Sequence, residues 1–250
     1  MGVLLSDEDE TVRAVAARAL ARIGTESAAK ILAPTLSDPS ELTRLRAAEN
    51  LERLGDLAVQ PLSGLLMGLT DQGAVMAARV LGNLRAWKAR PALRSVLLHT
   101  WDDDVRAQAT LALGKIGDPD DVPLIVESVR SNSWPVRAQA ANALGLIGEV
   151  STIPTLKELA ADQEWWVRLN ACKALANMGP SGEKALLELL QGDDCYVRDR
   201  AAATLEARGV TRRMVRNLTK PGKKGERARA VIRAVIRSGS SGAESPLISA

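Results

Sequence analysis

An arginine recurs through this sequence at nearly constant intervals, and its chemistry is the binding of anions. A guanidinium donates charge-assisted hydrogen bonds to carboxylates and phosphates. The intervals between successive positions are 31, 30, 32, 31, 31 and 30 residues, with Ala74 at the third position. The repeated arginines are Arg13, Arg44, Arg106, Arg137, Arg168 and Arg198.

Acidic residues accompany this arginine in most intervals, which favours a structural role. Asp9, Asp104, Glu164 and Asp194 all lie a few residues ahead of an arginine. A regular ladder of acid–arginine pairs would tie adjacent repeats together through charge-assisted hydrogen bonds. We therefore predict a structural ladder, and a ladder that binds an external anion is the alternative.

The residues around each arginine predict pairs of helices. In 136–147, Val136, Ala140, Leu144 and Ile147 recur at helical spacing and define one buried face. This second helix of each pair carries the Val-Arg element. The first helix of the pair often opens with a proline, which suits a first turn because its missing N–H has no intrahelical partner there. These prolines are Pro61, Pro91, Pro123 and Pro154.

The ends of the second helices carry capping residues. Asp104 and Asn132 precede two of them, and Asp or Asn side chains accept hydrogen bonds from the free amides of a helix start. A glycine follows each of several second helices, where a left-handed residue commonly ends a helix. These glycines are Gly117, Gly148, Gly179 and Gly209.

A fixed period of about 31 residues predicts a solenoid, in which each unit buries its apolar face only against its neighbours. Hydrophobic residues make up 46% of the chain and aromatics only 2%, so Ala and Leu must supply the packing of closely spaced helices. We predict a single all-α array over residues 1–237, in which the first repeat is truncated and 208–237 form a basic cap. Residues 238–250 are rich in Ser and Gly, which predicts a flexible tail.

The repeat unit, with its Val-Arg, Ala-Ala and Leu-Gly-x-Ile-Gly elements, resembles the short HEAT-like repeats called PBS-lyase HEAT repeats, over roughly residues 3–237. The resemblance implies a right-handed superhelix of about seven to eight helix pairs, whose second helices line a concave surface. Proteins of this type include phycobilin lyase subunits, deoxyhypusine hydroxylase and bacterial scaffold proteins. More distant HEAT-like folds include alkylpurine DNA glycosylases.

The exposed side of the second helices is the predicted site of partner binding. From the fourth repeat onward, the residue two places after the arginine is a polar side chain, and further polar residues follow five places after it. Side-chain amides both donate and accept, which suits recognition of a peptide backbone. A merely solvated face is the alternative. The residues of this surface are Gln108, Gln139, Asn142, Asn170, Lys173 and Arg200.

Aromatic residues fall just ahead of the Val-Arg element in four successive repeats, and we expect them to form a stripe along one rim of the groove. Trp and Tyr are favoured anchors of protein interfaces because they bury a large area with few rotatable bonds. The alternative is that each tryptophan covers the loop between its two helices. The residues are Trp101, Trp134, Trp165, Trp166 and Tyr196.

Charge is distributed unevenly along the chain. Residues 1–207 contain 22 Lys and Arg against 28 Asp and Glu, whereas 208–237 contain 11 against one. The basic segment predicts a weak contact with nucleic acid or an anionic membrane, and simple solvation of the last helix is the alternative. The candidate anion-binding residues are Arg212, Arg213, Arg216, Lys220, Lys223, Lys224, Arg227 and Arg229.

Catalytic chemistry finds little support. The hydroxylase relatives need several His-Glu pairs to hold iron, whereas Thr100 follows the lone His99. Cys172 and Cys195 lack metal-ligand spacing, and we interpret both as reduced thiols of a cytosolic protein, with Cys172 at a small-residue position. We therefore predict no catalytic residue, metal or cofactor.

The sequence thus predicts a non-enzymatic scaffold or adaptor that binds a protein or peptide. A phycobilin-lyase-like subunit that acts as a chaperone for a chromophore and its protein is one alternative. A glycosylase-like protein that binds DNA is the other, although the acidic charge of residues 1–207 opposes contact with a phosphate backbone.

Overall fold

The computed structural model describes residues 2–239, and within this range it contains fifteen α-helices and no β-strand. The predicted all-α class is confirmed. The helices are α1 (Glu10–Ile23), α2 (Glu26–Leu32), α3 (Glu41–Leu54), α4 (Asp56–Leu65), α5 (Asp71–Asn83), α6 (Arg90–His99), α7 (Asp103–Ile116), α8 (Val122–Ser128), α9 (Trp134–Ile147), α10 (Ile153–Leu159), α11 (Trp165–Asn177), α12 (Gly179–Leu189), α13 (Cys195–Ala207), α14 (Val210–Val215) and α15 (Lys223–Gly239).

The odd-numbered helices are the second helices of the sequence pattern, and the even-numbered helices are the first helices. Short 3-10 segments precede or extend several helices: Gly2–Ser6, Ala33–Ser37, Leu66–Gly68, Trp87–Ala89, Pro119–Asp121 and Val150–Thr152. The fifteen helices therefore give the predicted number of about seven to eight helix pairs.

Within residues 2–239, no helix has both the length and the apolar surface of a membrane span.

Contacts divide the chain into two compact units, Met1–Ala143 and Leu144–Ala250, and the boundary falls inside α9. In the first unit, α1, α3, α5 and α7 pack side by side in chain order, and so do α2, α4 and α6. In the second unit, α11 packs on α13 and α13 on α15, while α10 packs on α12. Each unit has the side-by-side stacking of a solenoid, and the predicted single array stays a prediction.

The core of each unit consists mainly of one repeated stripe. Positions three, four and seven after the arginine are buried in each second helix from α1 to α13, and they hold two small residues followed by leucine. In α3 these are Ala47, Ala48 and Leu51, and all three are fully buried. Cys172 takes the second small position in α11, as predicted. Side chains at this spacing lie on one face of a helix, so a stripe that is mainly Ala and Leu fills the interface.

Two second helices of the first unit approach so closely that a glycine is required. A Cβ atom at Gly114 in α7 would lie 2.5 Å from the Cβ atom of Ala143 in α9, which is too close for any side chain. Gly82 in α5 has the same relation to Ala112 in α7, at 2.8 Å from its Cα atom. This glycine-on-alanine contact sets the separation of neighbouring repeats.

The helix ends partly follow the predictions. Gly117 and Gly148 adopt positive φ angles of 83° and 79° after α7 and α9, as expected for left-handed residues. The predicted N-caps are wrong by one or two residues. Asp102 caps α7, because its carboxylate accepts the N–H of Val105 at 2.8 Å, and Asp104 lies inside the first turn. Ser133, not Asn132, directly precedes α9.

Three of the four prolines open a first helix, and the fourth does not. Pro91, Pro123 and Pro154 lie in the first turns of α6, α8 and α10, each just after a 3-10 segment. Pro61 lies inside α4. The reason is that the corresponding segment in this repeat is α-helical from Asp56, so the helix begins before its proline.

The last helix reaches beyond the predicted array. Ser238 and Gly239, which the sequence analysis assigned to the flexible tail, belong to α15. Ser238 is buried, and its hydroxyl donates to the carbonyl oxygen of Val235 at 2.7 Å, which continues the helix. The remainder of the predicted tail, residues 240–250, lies outside the described residues.

Candidate partner-binding surfaces

The repeated arginine binds main-chain carbonyls of its own repeat. Arg44 in α3 donates from Nη1 to the carbonyl oxygens of Asp38 and Pro39 at 2.7 and 2.9 Å. The same pair of contacts, to the residues six and five positions earlier, recurs elsewhere. These acceptors lie in the connection between the first and second helices, where no helical N–H reaches them. The other arginines that make both contacts are Arg13, Arg137, Arg168 and Arg198.

The acids that were predicted to pair with these arginines have a different role. The carboxylates of Asp9 and Asp194 accept backbone N–H groups at the starts of α1 and α13. The N–H of Thr11 thereby holds the pKa of the Asp9 carboxyl below its ordinary value. The short side chain of an N-cap residue is committed to its own helix, so the prediction of an acid–arginine ladder through these residues is wrong.

Arg13 adds an ion pair to these carbonyl contacts, and Arg106 contacts a carboxylate instead of the carbonyls. Arg13 also forms a two-pronged ion pair with Asp38 of the next repeat, at 2.7 and 3.0 Å. Arg106 contacts Asp103 within its own helix at 3.4 Å. The arginines therefore mainly hold the connection inside each repeat, and Arg13 also joins two repeats. Where both carbonyl contacts form, the Nη1 group of the arginine is occupied by the main chain.

A cleft of about 690 Å³ opens on the exposed side of the second helices in the first unit. The structure brings Gln108 and Gln139, two predicted site residues, together in its lining. The Gln139 carbonyl oxygen accepts from the Asn142 amide at 3.0 Å. The Gln108 amide nitrogen is buried and has no hydrogen-bond partner among the described residues. The cleft therefore presents amide groups beside the second-helix starts.

The charge of this cleft is acidic. Glu41, Asp71, Asp102 and Asp104 line it, and Arg44 is the one cation among its lining residues. The single charge of Arg44, whose Nη1 group donates to two carbonyls, offsets only one of these four carboxylates. The cleft favours a peptide or a cationic group over a phosphate.

An aromatic and cationic cluster stands on the second helices of the second unit. The Arg200 guanidinium lies over the Trp165 ring at 4.7 Å, and Trp166 contacts Trp165 edge-on with a centroid separation of 4.6 Å. Arg168 lies 5.6 Å from the centre of the Tyr196 ring. Burial lowers the pKa of Arg200, which is consistent with its position against the indole. These cation–π contacts hold both planar groups in place.

Much of this cluster remains exposed. Trp166 is 53% exposed and Tyr196 is 61% exposed. On α11, Lys173 is exposed and Asn170 is half-buried. Large aromatic side chains that stay in solvent while their neighbours are fixed are typical anchors for a partner.

The aromatic residues do not all share one repeat position, and the predicted stripe along one rim stays a prediction. Trp134 and Trp165 lie three residues before the arginine of their repeats, whereas Trp166 and Tyr196 lie two before it. Neighbouring positions on a helix point about 100° apart. Trp101 lies in the loop ahead of α7 and is 98% exposed, so it does not cover that loop.

Sequence comparison identifies the repeat. A family model described as HEAT repeats matches residues 2–74, 70–136 and 125–206. The chain belongs to the HEAT-repeat family. No curated protein shows significant sequence similarity to it.

Solved structures agree with a HEAT-repeat solenoid. The complex of CpcE and CpcF of phycocyanin lyase from Nostoc sp. PCC7120 is 22% identical with a TM-score of 0.50, covering 94% of this chain and 92% of that chain. YibA of Escherichia coli is 20% identical with a TM-score of 0.52, covering 85% and 95%. Human deoxyhypusine hydroxylase is 21% identical over 91% and 93%, with a TM-score of 0.46. At these identities the first two likenesses show the fold alone.

The helices that follow α13 gather most of the predicted anion-binding residues in one place. Arg213, Arg216, Lys220, Lys223, Lys224 and Arg227 line a common cleft of about 610 Å³. Arg212 and Arg229 are not among its lining residues, and Arg229 donates to the carbonyl oxygen of Leu218 at 2.9 Å. Arg208, which the sequence analysis did not select, lines an adjoining cleft with Arg213 and Arg227.

Two further features escaped the sequence analysis. Trp87, at the start of a 3-10 segment, is 67% exposed and lines a cleft on the first helices beside His99. Asp121 is fully buried and accepts from Arg90 at 2.9 Å and from Arg94. The 31-residue interval between Arg90 and Asp121 matches the repeat period, and this was the sequence signal that could have revealed the pair.

Among residues 2–239, no group of three or more His, Cys, Asp or Glu side chains is arranged to hold a metal ion.

Proposed function

We propose that this HEAT-repeat protein is a non-enzymatic scaffold that binds another protein through the exposed side of its second helices. The observation that carries the proposal is the cluster of Trp165, Trp166, Tyr196 and Arg200 on α11 and α13. Trp, Tyr and Arg are the residue types enriched at the energetic centres of protein interfaces. Here they are partly fixed by contacts with one another, so little side-chain entropy is lost when a partner covers them.

The amide-lined acidic cleft of the first unit supports the same function. Gln108 and Gln139 place side-chain amides, a group that can pair with a peptide backbone, in its lining. The carboxylates around them favour a partner segment with basic side chains. A polar cleft of this kind adds specificity, while the aromatic cluster of the second unit supplies buried area.

The test combines site-specific cross-linking with matched alanine variants. A photo-reactive residue placed at Lys173, on the exposed side of α11, should capture the partner from a cell extract. The same residue at Lys184, which is exposed on the first helix α12, is the positional control. Equal capture of one protein at both positions would contradict the assignment of this face.

Affinity for the captured and purified partner then decides the role of the aromatic residues. Trp166→Ala and Tyr196→Ala should each weaken binding by about tenfold or more, because interface anchors contribute about 2 kcal/mol. Trp87→Ala removes a tryptophan of similar exposure from the first-helix side and should leave the affinity unchanged. Unchanged affinity in the Trp166 and Tyr196 variants, with intact helical circular dichroism, would show that the interface lies elsewhere.

The similarity of the fold to that of the CpcE–CpcF complex supports the phycobilin-lyase alternative. It makes a different prediction, since a chaperone of this kind must bind a linear tetrapyrrole. Mixing the protein with a bilin and recording its visible absorption separates the two functions. A red-shifted, intensified band at micromolar protein would favour the lyase-like function over the scaffold. The DNA-glycosylase alternative predicts tight binding of duplex DNA by residues 1–207, whose acidic charge opposes it.

A further inference from the structure

The cleft of the last repeat is lined by clustered cations. It lies among α12, α14, the start of α15 and the turn between them, and its six basic side chains are Arg213, Arg216, Lys220, Lys223, Lys224 and Arg227. Glu183 is the one carboxylate in its lining, and it is already paired with Arg213. The buried side chain of Met214 also contributes to the lining.

Most of this positive charge is not compensated by the protein. Within residues 2–239, no hydrogen bond or ion pair engages the side chains of Arg216, Lys220, Lys223, Lys224 or Arg227. By contrast, Arg90, Arg13 and Arg44 are all held by carboxylates or carbonyls. Cations crowded into one cleft repel one another, and a bound anion relieves that repulsion.

The backbone turn before α15 brings the lysines of this segment together. Gly222 has a positive φ of 71°, and the N–H of Glu226 donates to its carbonyl oxygen at 3.1 Å. A Cβ atom at Gly225 would collide with the carbonyl oxygen of Lys220, so only glycine permits this close return of the chain. The tight turn places Lys220 and Lys223 on the lining of the same cleft.

We propose that this cleft binds a small organic ligand that carries several neighbouring phosphate groups. The inference is independent of the proposed scaffold function. A volume of about 610 Å³ lies in the range of small-molecule sites, and it is too small to enclose a nucleic-acid duplex. Phosphates accept several charge-assisted hydrogen bonds each, and arginine and lysine are the side chains that bind them. A single carboxylate ligand would leave most of the six cations unpaired.

The primary experiment is calorimetric titration of the full chain with inositol hexakisphosphate in 150 mM salt. This probe presents clustered phosphates on a small ring, and we expect saturable binding at a stoichiometry of one. Lys220→Glu combined with Lys224→Glu should weaken binding about a hundredfold, because each charged hydrogen bond contributes about tenfold or more. No measurable binding by the unaltered protein would overturn the proposal.

The control has the same change in net charge but lies outside the cleft. Arg233→Glu combined with Arg237→Glu removes two exposed cations that do not line the cleft, and it should change the affinity less than threefold, since distant exposed charges are screened at this salt concentration. Equal weakening by both double variants would show diffuse attraction in place of a built site. Thermal melts of each variant confirm that it remains folded.

Two further titrations identify the source of the phosphates. Vesicles that contain a phosphatidylinositol bisphosphate bind through the cleft if the natural ligand is a lipid headgroup, whereas preferential binding of the soluble probe indicates a free metabolite. Either result supports the proposal, provided that Lys220→Glu with Lys224→Glu abolishes it. A 20-base-pair DNA duplex that binds more tightly than the soluble probe, and loses affinity in the same variant, would overturn it in favour of a nucleic-acid surface.

Discussion

At the scale of single residues, the arginines of the second helices stabilise the connection inside each repeat. Arg44 is only 9% exposed and donates two hydrogen bonds to carbonyls that have no other partner in the helix ladder. A buried carbonyl without a donor costs more than the net gain of an average hydrogen bond, because its desolvation is not repaid. In the repeats that have both carbonyl contacts, one arginine side chain therefore stabilises the conformation of the connection.

Arg44→Ala should lower the free energy of unfolding by about 1–3 kcal/mol, since it removes a largely buried side chain and the donor of two part-buried carbonyls. Arg18→Ala, which removes an exposed arginine from α1, should change it by about 0.5 kcal/mol or less. Urea denaturation followed by circular dichroism measures both. If the two variants have equal stability, the carbonyl contacts of Arg44 contribute nothing and the repeated arginine needs another explanation.

Cys172 shows how burial controls a single thiol. It lies in the core stripe of α11, and burial raises its pKa to about 12, against which the nearby guanidiniums of Arg200 and Arg168 act only weakly. A raised thiol pKa favours the neutral form, so the reactive thiolate is disfavoured throughout the neutral pH range.

The expected result is that one of the two thiols reacts in the folded protein. At pH 8, a pKa of about 12 leaves about one Cys172 in ten thousand as thiolate. Titration with a chromogenic disulfide should therefore label the half-buried Cys195 alone, and both thiols in urea. Cys195→Ser should abolish the native-state reaction. Rapid labelling of that variant would mean that α11 opens far more readily than its packing implies.

At the scale of elements, the separation of second helices depends on glycine facing alanine. Gly114 in α7 faces Ala143, and Gly82 in α5 faces Ala112. Since these contacts occur between neighbouring repeats, a side chain added at either glycine must push two helices apart. Packing in a solenoid is transmitted only through such neighbour contacts.

Gly114→Ala should therefore destabilise the protein, by about 1–3 kcal/mol, because the added methyl group overpacks the α7–α9 contact. Gly64→Ala in α4 provides the matched control, since no atom lies within 4 Å of its added Cβ. That substitution should stabilise the protein by about 0.5–1 kcal/mol through the helix propensity of alanine. Thermal melts that move in the same direction for both variants would contradict the close-packing argument.

At the scale of the whole molecule, contacts connect elements that are close in sequence, and the charge changes sign along the chain. Internal helices such as α5 pack against second helices on both sides, α3 and α7, whereas α15 packs on α13 and α14. Residues 208–237 carry ten net positive charges that repel one another, while the preceding residues are net acidic. Local stability should therefore vary along the chain.

Hydrogen exchange measured by mass spectrometry checks this gradient. Amides of α5 and α7 should exchange most slowly, and those of α14 and α15 should exchange faster, because the clustered cations of 208–237 repel one another. Adding inositol hexakisphosphate should slow exchange in α14 and α15 if the basic cleft binds it. Uniform protection across all helices would show that the chain unfolds as one cooperative unit.

The sequence by itself determined the repeat, its two helices and its core stripe. Val-Arg, the small-residue pair and Leu recur with the 31-residue period, and burial of one helix face follows from that spacing alone, as it does for Ala47, Ala48 and Leu51. It also indicated Gln108 and Gln139, which line one cleft in the structure, and the basic segment. These features depend on which side of one helix a residue occupies, and helical geometry gives that directly.

Only the tertiary structure decided what each side chain contacts. The partners of Arg44 are backbone carbonyls in a connecting turn. Every residue has a carbonyl, so residue types do not show which one faces the arginine. The stacking of Arg200 on Trp165 likewise depends on how α13 lies beside α11. The spacing of acids and arginines along the chain predicted that they pair with each other. Hydrogen bonds depend on distances in space, however, and the nearest acceptor of a side chain is frequently the main chain.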